Sequence, residues 1–202
     1  MRTSVIQIVN ELNKDEPDYQ VITEIIERDL GLSYKLLKAA NSVAYGAGNK
    51  IYSIKQALVR FGIEEMKKWM YLMMLQEKQN VDNRELIKTS LIRGKFMELL
   101  SLKLGKKHRH FEFFLTGVLS SMDTLLHKDM LEVVHELPLT PDVKEALLGK
   151  DNELRQVLNF VLLLERADWQ LADRQPLFNY VHKEIVMSLY LKSIKWFMKL
   201  NH

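Results

Sequence analysis

Between Asp18 and Leu137 the chain carries no proline, and along this stretch its apolar residues return every three or four positions. Residues at that spacing share one face of a helix, so the pattern predicts helices that bury a single side. The rows are explicit: Ile6, Val9 and Leu12; then Val21, Ile22, Ile25 and Ile26; then Leu32, Leu36, Leu37 and Ala40. No segment alternates apolar and polar residues between hairpin turns, so a β-sheet is not expected. The fold class that follows is all-α, a multi-helix domain of about eleven or twelve helices.

Local signals place the helix ends. Ser53 with Gln56 and Asp82 with Glu85 read as capping boxes, whose side chains satisfy orphan amides of a first turn. Thr140 puts a capping oxygen before Pro141, a residue whose missing N–H costs nothing at a first helical position. Gly62, Gly105 and Gly149 each follow an apolar-periodic segment, where a left-handed residue ends a helix without a side-chain clash. Helices are therefore predicted near residues 3–13, 18–28, 31–43, 53–61, 63–77, 83–104 and 110–127. Others follow near 129–136, 141–148, 152–166, 168–174 and 178–200. A length of 202 residues with 47% apolar and 27% charged side chains suits one domain, 1–202. The loop from Glu136 to Asp142 reads as an internal joint between sub-lobes 1–136 and 137–202.

Cysteine is absent, which removes disulfides, thiolate metal sites and cysteine nucleophiles and fits a reducing compartment. The longest apolar runs, Trp69–Leu75 and Val157–Leu164, fall far short of the ~20 residues that cross a bilayer. The first fourteen residues lack the apolar core and cleavage site of a secretory signal. A cytoplasmic protein with no membrane insertion is the expectation.

Charge is unevenly placed. Arg84–Arg109 holds eight Lys or Arg against two Glu, whereas His110–Gly149 holds two Lys against seven acids. Neighbouring helices with opposite solvated faces would explain this arrangement. The rival reading is a nucleic-acid-binding patch made of Lys88, Arg93, Lys95, Lys103, Lys106, Lys107 and Arg109.

Chemistry has few candidates. His108 and His110 are two apart, as are His127 and Asp129, and such pairs point to different sides of a helix. Phosphate-cradling and nucleophile-elbow motifs are missing, and the glycine-rich stretch Gly46-Ala47-Gly48-Asn49 reads as a connection between helices. Met66, Met70, Met73 and Met74 beside Trp69 read as core filler, with an adaptable protein-binding groove as the alternative. Leu189, Ile194, Trp196, Phe197 and Met198 pose the same choice for the last helix.

Glu27-Arg28-Asp29-Leu30-Gly31-Leu32-Ser33, Leu36-Leu37, Asn41-Ser42, Tyr45-Gly46, Ser53-Ile54, Gln56-Ala57-Leu58 and Gly62 together resemble the opening of an HDOD domain. Glu136-Leu137-Pro138-Leu139, Ala146-Leu147-Leu148-Gly149 and Glu165-Arg166-Ala167-Asp168-Trp169 look like the C-terminal half of EAL–HDOD signalling proteins. The resemblance covers roughly residues 5–200 and implies an HD-like helical fold. In such relatives an EAL domain, of the cyclic di-GMP phosphodiesterase type, precedes the module; none stands here, which suggests a piece of a longer protein.

Catalytic HD relatives hold metal with a His, a His-Asp pair and a further Asp. By the resemblance Thr89 falls where the first His would stand, and Ser120 and Ser121 where His-Asp would stand. Hydroxyls are weak ligands for a divalent ion, so no metal, no cofactor and no catalytic residues are expected. Leu30 replaces a proline common at that helix start. Asp29, Asn41, Ser42, Tyr45, Gly46 and Gly62 read as structural, through caps and turns of positive φ, with a ligand role for Asn41, Ser42 or Tyr45 as the alternative. The function implied is a non-catalytic signalling module acting by protein contact, with an EAL domain as partner in cis and a homodimer as a further expectation. Two rivals stand beside it: the nucleic-acid module, and an HD-type phosphohydrolase using His127 with Asp129 or Asp123.

Overall fold

A computed structural model describes residues 3–42, 50–76, 83–176 and 181–200, and every regular element among them is helical. Backbone packing divides the chain into two units, residues 1–78 and 79–202. The Glu136–Asp142 loop expected to act as a joint therefore lies inside the second unit.

The first unit is built from α1 (Thr3–Leu12), α2 (Tyr19–Arg28), α3 (Leu30–Ala40) and α4 (Ile54–Gln76). Most of the apolar rows legible in the sequence face inward: Val9, Leu12, Ile22, Ile26, Leu32, Leu36 and Ala40 are buried and Ile6, Ile25 and Leu37 half-buried, whereas Val21 is exposed. Met66, Trp69, Met70, Met73 and Met74 are buried as well, so the methionine cluster fills a core. The expected helices 53–61 and 63–77 meet at Gly62, whose φ of 67° and ψ of 174° interrupt α4. A Cβ there would meet nothing within 4 Å, so it is the backbone angle, not space, that favours glycine. The Ser53 box forms with a shift: Gln56 N–H donates to Ser53 Oγ, while the Gln56 carbonyl accepts from Tyr52 N–H and not from Ser53.

The second unit holds α5 (Arg84–Lys103), a 3-10 turn at Lys107–Arg109, α6 (His110–Leu119), α7 (Met122–Leu126) and α8 (Met130–Glu136). It continues with α9 (Pro141–Leu147), α10 (Glu153–Glu165), α11 (Trp169–Asp173) and α12 (Lys183–Leu200). Helix α5 packs most extensively on α6 and next on α12. Phe113 and Phe114 are fully buried on α6, each contributing roughly 1.5–3 kcal/mol by leaving water. Trp196 of α12 meets Phe114 edge-on at 6.2 Å, and Tyr190 meets Phe96 at 5.5 Å. The last helix therefore docks through Leu189, Tyr190 and Trp196, while Met198 stays exposed.

Two expectations fail here. The single helix foreseen over 110–127 is broken between α6 and α7: Ser121 leaves helical backbone geometry, and the hydroxyl of Ser120 before it donates to the Gly117 carbonyl at 2.8 Å. A hydroxyl that competes for a helix carbonyl is a known source of such breaks. Thr140 precedes α9 as expected, with Pro141 opening it, but its hydroxyl donates to Glu112 Oε1 at 2.9 Å and caps nothing. The Asp82 half of the second capping box lies outside the described residues.

Candidate functional site

The site begins with two glycines. Gly94 of α5 and Gly117 of α6 let the backbones touch: a Cβ on Gly117 would stand 2.6 Å from Gly94 Cα and 2.8 Å from Gly94 N. A Cβ on Gly94 would in turn stand 2.8 Å from the Phe114 carbonyl oxygen. This crossing sets Arg93, the residue before Gly94, against Ser120 and Ser121, three and four residues beyond Gly117.

Arg93 then binds both serines. Its Nη1 donates to Ser120 Oγ at 2.7 Å and to Ser121 Oγ at 2.8 Å. Its other edge forms a fork with Glu165 at the end of α10, Nε to Oε1 at 2.9 Å and Nη2 to Oε2 at 2.7 Å. The Arg93 side chain is 8% exposed and that of Glu165 18%, so the charges face each other largely out of water. A planar guanidinium suits this geometry, because its fork matches a carboxylate while the remaining nitrogen reaches elsewhere. Thr89 lies one helical turn before Arg93 on α5, on the same face.

Two of the three residues that the resemblance set at the metal positions, Ser120 and Ser121, thus hold a cation that belongs to the chain. Two hydroxyls, one carboxylate and a guanidinium do not fit a divalent ion, which requires several imidazole or carboxylate donors and no neighbouring positive charge. Among the described residues no three His, Asp or Glu side chains gather closely enough to hold a metal. Of the alternative ligand set, His127 ends α7 in left-handed conformation with its N–H on the Asp123 carbonyl, and the Asp129 carboxylate caps α8 by accepting from Leu131 N–H at 2.7 Å. His110 directs Nδ1 at the Lys107 carbonyl.

The family-motif residues lie in the first unit. Asp29 caps α3 by accepting from Leu32 N–H at 3.0 Å, and its second oxygen accepts from the Ser4 hydroxyl at 3.2 Å. Asp29→Ala is expected to cost about 1 kcal/mol of stability, seen as a lower urea midpoint with unchanged slope. Asn41 pins the end of α3 to the strand-like entry of α4: its amide donates to the Leu37 and Ile51 carbonyls, and its carbonyl accepts from Ile51 N–H, each at 2.9 Å. Ser42 Oγ donates to the Ala39 carbonyl at 2.7 Å. Tyr45 and Gly46 lie outside the described residues.

The basic run 84–109 does not form one free positive face. Arg93 is buried in the cluster above, which corrects its place in the expected patch. Lys88 pairs with Glu85, Lys95 with Glu98, and Lys106 with Glu153 at 2.7 Å. Arg109 meets Glu112 and Asp142, each at 2.5 Å. Burial pulls its guanidinium pKa down, yet the two carboxylates outweigh burial and hold it above the usual value. Lys103 and Lys107 are exposed. Of these partners only Glu112 and Asp142 come from the acidic stretch that follows; Glu85 and Glu98 belong to the basic run itself, and Glu153 lies beyond both.

Neither Glu165 as the partner of Arg93 nor the glycine contact was anticipated. A salt bridge spanning 72 positions leaves no periodic trace. Gly94 and Gly117 did leave one, as glycines inside otherwise helical patterns, where a packing role is the usual reason.

Comparison with solved structures finds the same class of all-α fold elsewhere. It superposes with a TM-score of 0.67 on a protein of Shewanella amazonensis SB2B assigned to the phosphohydrolases, at 15% identity, covering 99% of this chain and 92% of the other. Within that class the chain belongs to the HDOD family: the HDOD domain pattern matches residues 1–145. It is 40% identical over 196 residues to the uncharacterized protein YuxH of Bacillus subtilis, covering 96% of this chain and 47% of that protein. It is also 29% identical over 196 residues to the cyclic di-GMP phosphodiesterase CdgJ of Vibrio cholerae, covering 97% of this chain and 45% of that one. The chain therefore spans about half the length of both relatives. No helix among the described residues is long and apolar enough to cross a membrane.

Proposed function

We propose that this chain is a non-catalytic, cytoplasmic interaction module of cyclic di-GMP signalling, 1–202 acting as one HDOD domain whose partner is an EAL domain in the same polypeptide. The observation that carries this reading is the Arg93 guanidinium fixed between Ser120, Ser121 and Glu165, the two serines being residues that the resemblance aligns with metal positions of catalytic HD relatives. Hydrolysis in that class depends on an ion that polarises phosphate and acidifies water, and a guanidinium already committed to a carboxylate and two hydroxyls supplies neither. The similarity to a cyclic di-GMP phosphodiesterase of about twice this length supports the EAL partnership.

Two measurements test it. After incubation with manganese, iron or zinc and removal of excess, mass spectrometry is expected to find far less than one metal per chain, with no turnover of a phosphodiester reporter above buffer. Stoichiometric metal together with turnover abolished by Ser121→Ala would overturn the non-catalytic reading. Separately, the half of YuxH that this chain does not match is expected to form a one-to-one complex with it in sedimentation. Independent sedimentation at tens of micromolar would remove the EAL partnership.

A further inference from the structure

Residues 30–63 contain Lys35, Lys38, Lys50, Lys55 and Arg60 and not one Asp or Glu. Unlike the basic run of the second unit, this one keeps its charge in solvent. Lys35, Lys38, Lys50 and Lys55 are all exposed, and among the described residues none of the four has an ion-pair partner. Arg60 is differently employed, donating to the Ala40 carbonyl at the end of α3.

Rings stand beside these cations. Tyr34 is 67% exposed and Tyr52 77%, with Leu30 at 83% and Val59 at 74%. Leu30, Tyr34 and Lys38 lie four apart on α3 and so share a face, and Lys55 and Val59 do so on α4, with Tyr52 just before that helix. The Asn41–Ile51 hydrogen bonds join the two rows, bringing Lys50 and Tyr52 beside the Lys38 end of α3. Of the acids nearest in sequence, Asp29 caps α3, Glu24 pairs with Arg28, Glu27 is exposed near the end of α2, and Glu64 and Glu65 lie beyond the Gly62 kink.

We infer that this face of the first unit binds single-stranded nucleic acid. Lysines track phosphates without demanding a particular geometry, and exposed rings offer stacking platforms that any base can use. Alternation of ring and cation along two joined rows fits a strand that presents bases and phosphates in turn. An acidic protein segment would satisfy the lysines but has no need of tyrosine faces, so the rings favour the nucleic acid. The inference is independent of the Arg93 cluster and of the EAL partnership.

Fluorescence anisotropy with labelled oligothymidine of about 20 nucleotides tests it on the intact chain. Binding is expected at low salt, with log K falling against log salt at a slope near −3, about −0.7 for each of four phosphates. Tyr34→Ala and Tyr52→Ala are each expected to weaken binding about 5- to 150-fold, the range for losing one stacked base. Lys38→Glu with Lys55→Glu is expected to abolish binding, and Lys103→Glu with Lys107→Glu in the second unit to leave it intact. All these positions are exposed, so circular dichroism should match the parent chain. No binding at low salt, indifference to both tyrosine changes, or equal binding of polyglutamate would each overturn the inference, the last in favour of an acidic protein partner.

Discussion

Arg93→Ala is expected to destabilise the second unit by about 3–5 kcal/mol, the usual cost of removing one member of a buried ion pair. The loss is not that of one contact. The substitution strands the Glu165 carboxylate in a largely dry position and takes the donor away from Ser120 and Ser121 together. Glu165→Ala is expected to cost a similar amount, now leaving a buried guanidinium. The double replacement is expected to cost clearly less than the sum, because neither orphaned charge then remains. Arg93→Lys separates charge from shape: the charge stays, but a point-like ammonium cannot fork onto Glu165 and reach two serines. It should fall between the parent and alanine. Urea unfolding of all four variants measures the cycle, and simple additivity would show that the cluster contributes nothing as a unit.

Gly117→Ala is expected to be comparably damaging, at about 2–3 kcal/mol, near the upper end of the ordinary range for overpacking. Its new methyl would collide with Gly94 Cα and N and with the Arg93 carbonyl carbon, all backbone atoms that no rotamer change can move. Helices α5 and α6 must then separate, and the Arg93 hydrogen bonds to Ser120 and Ser121 lengthen with them. Helix propensity acts the other way, favouring alanine over glycine by up to about 1 kcal/mol in a helix interior. A variant as stable as the parent would therefore refute the close crossing. Gly62→Ala provides a contrast of cause, since open space surrounds that position and only its φ of 67° resists a side chain.

These two predictions also separate what the chain displayed from what it concealed. Apolar spacing carried the helices well: Ile22, Ile26, Leu32 and Leu36 lie in the core their periodicity implied, and Gly62 interrupts where two helices were foreseen. Capping was legible where a side chain served its own helix, as at Asp29. It misled at Thr140, whose hydroxyl has a more distant acceptor in Glu112. The break after Leu119 was missed because Ser120 and Ser121 sit in an apolar-periodic stretch, and only the fold shows the Gly117 carbonyl and Arg93 as partners of those hydroxyls.

At the candidate site, Thr89, Ser120 and Ser121 were marked from resemblance, but the residue that organises two of them was assigned to the surface. Arg93 lies in a run of cations that looks solvated when read linearly, and only the fold reveals an acceptor on α10. Charge counted along the chain also obscured the contrast between units. The run at 84–109 is denser but largely paired, while the sparser one at 30–63 keeps four exposed lysines.

A positive charge supplied by the polypeptide has no dissociation constant. Chelators cannot strip Arg93, scarcity of iron or manganese cannot empty it, and oxygen cannot change its valence. The charge at this crossing of α5 and α6 is set at translation.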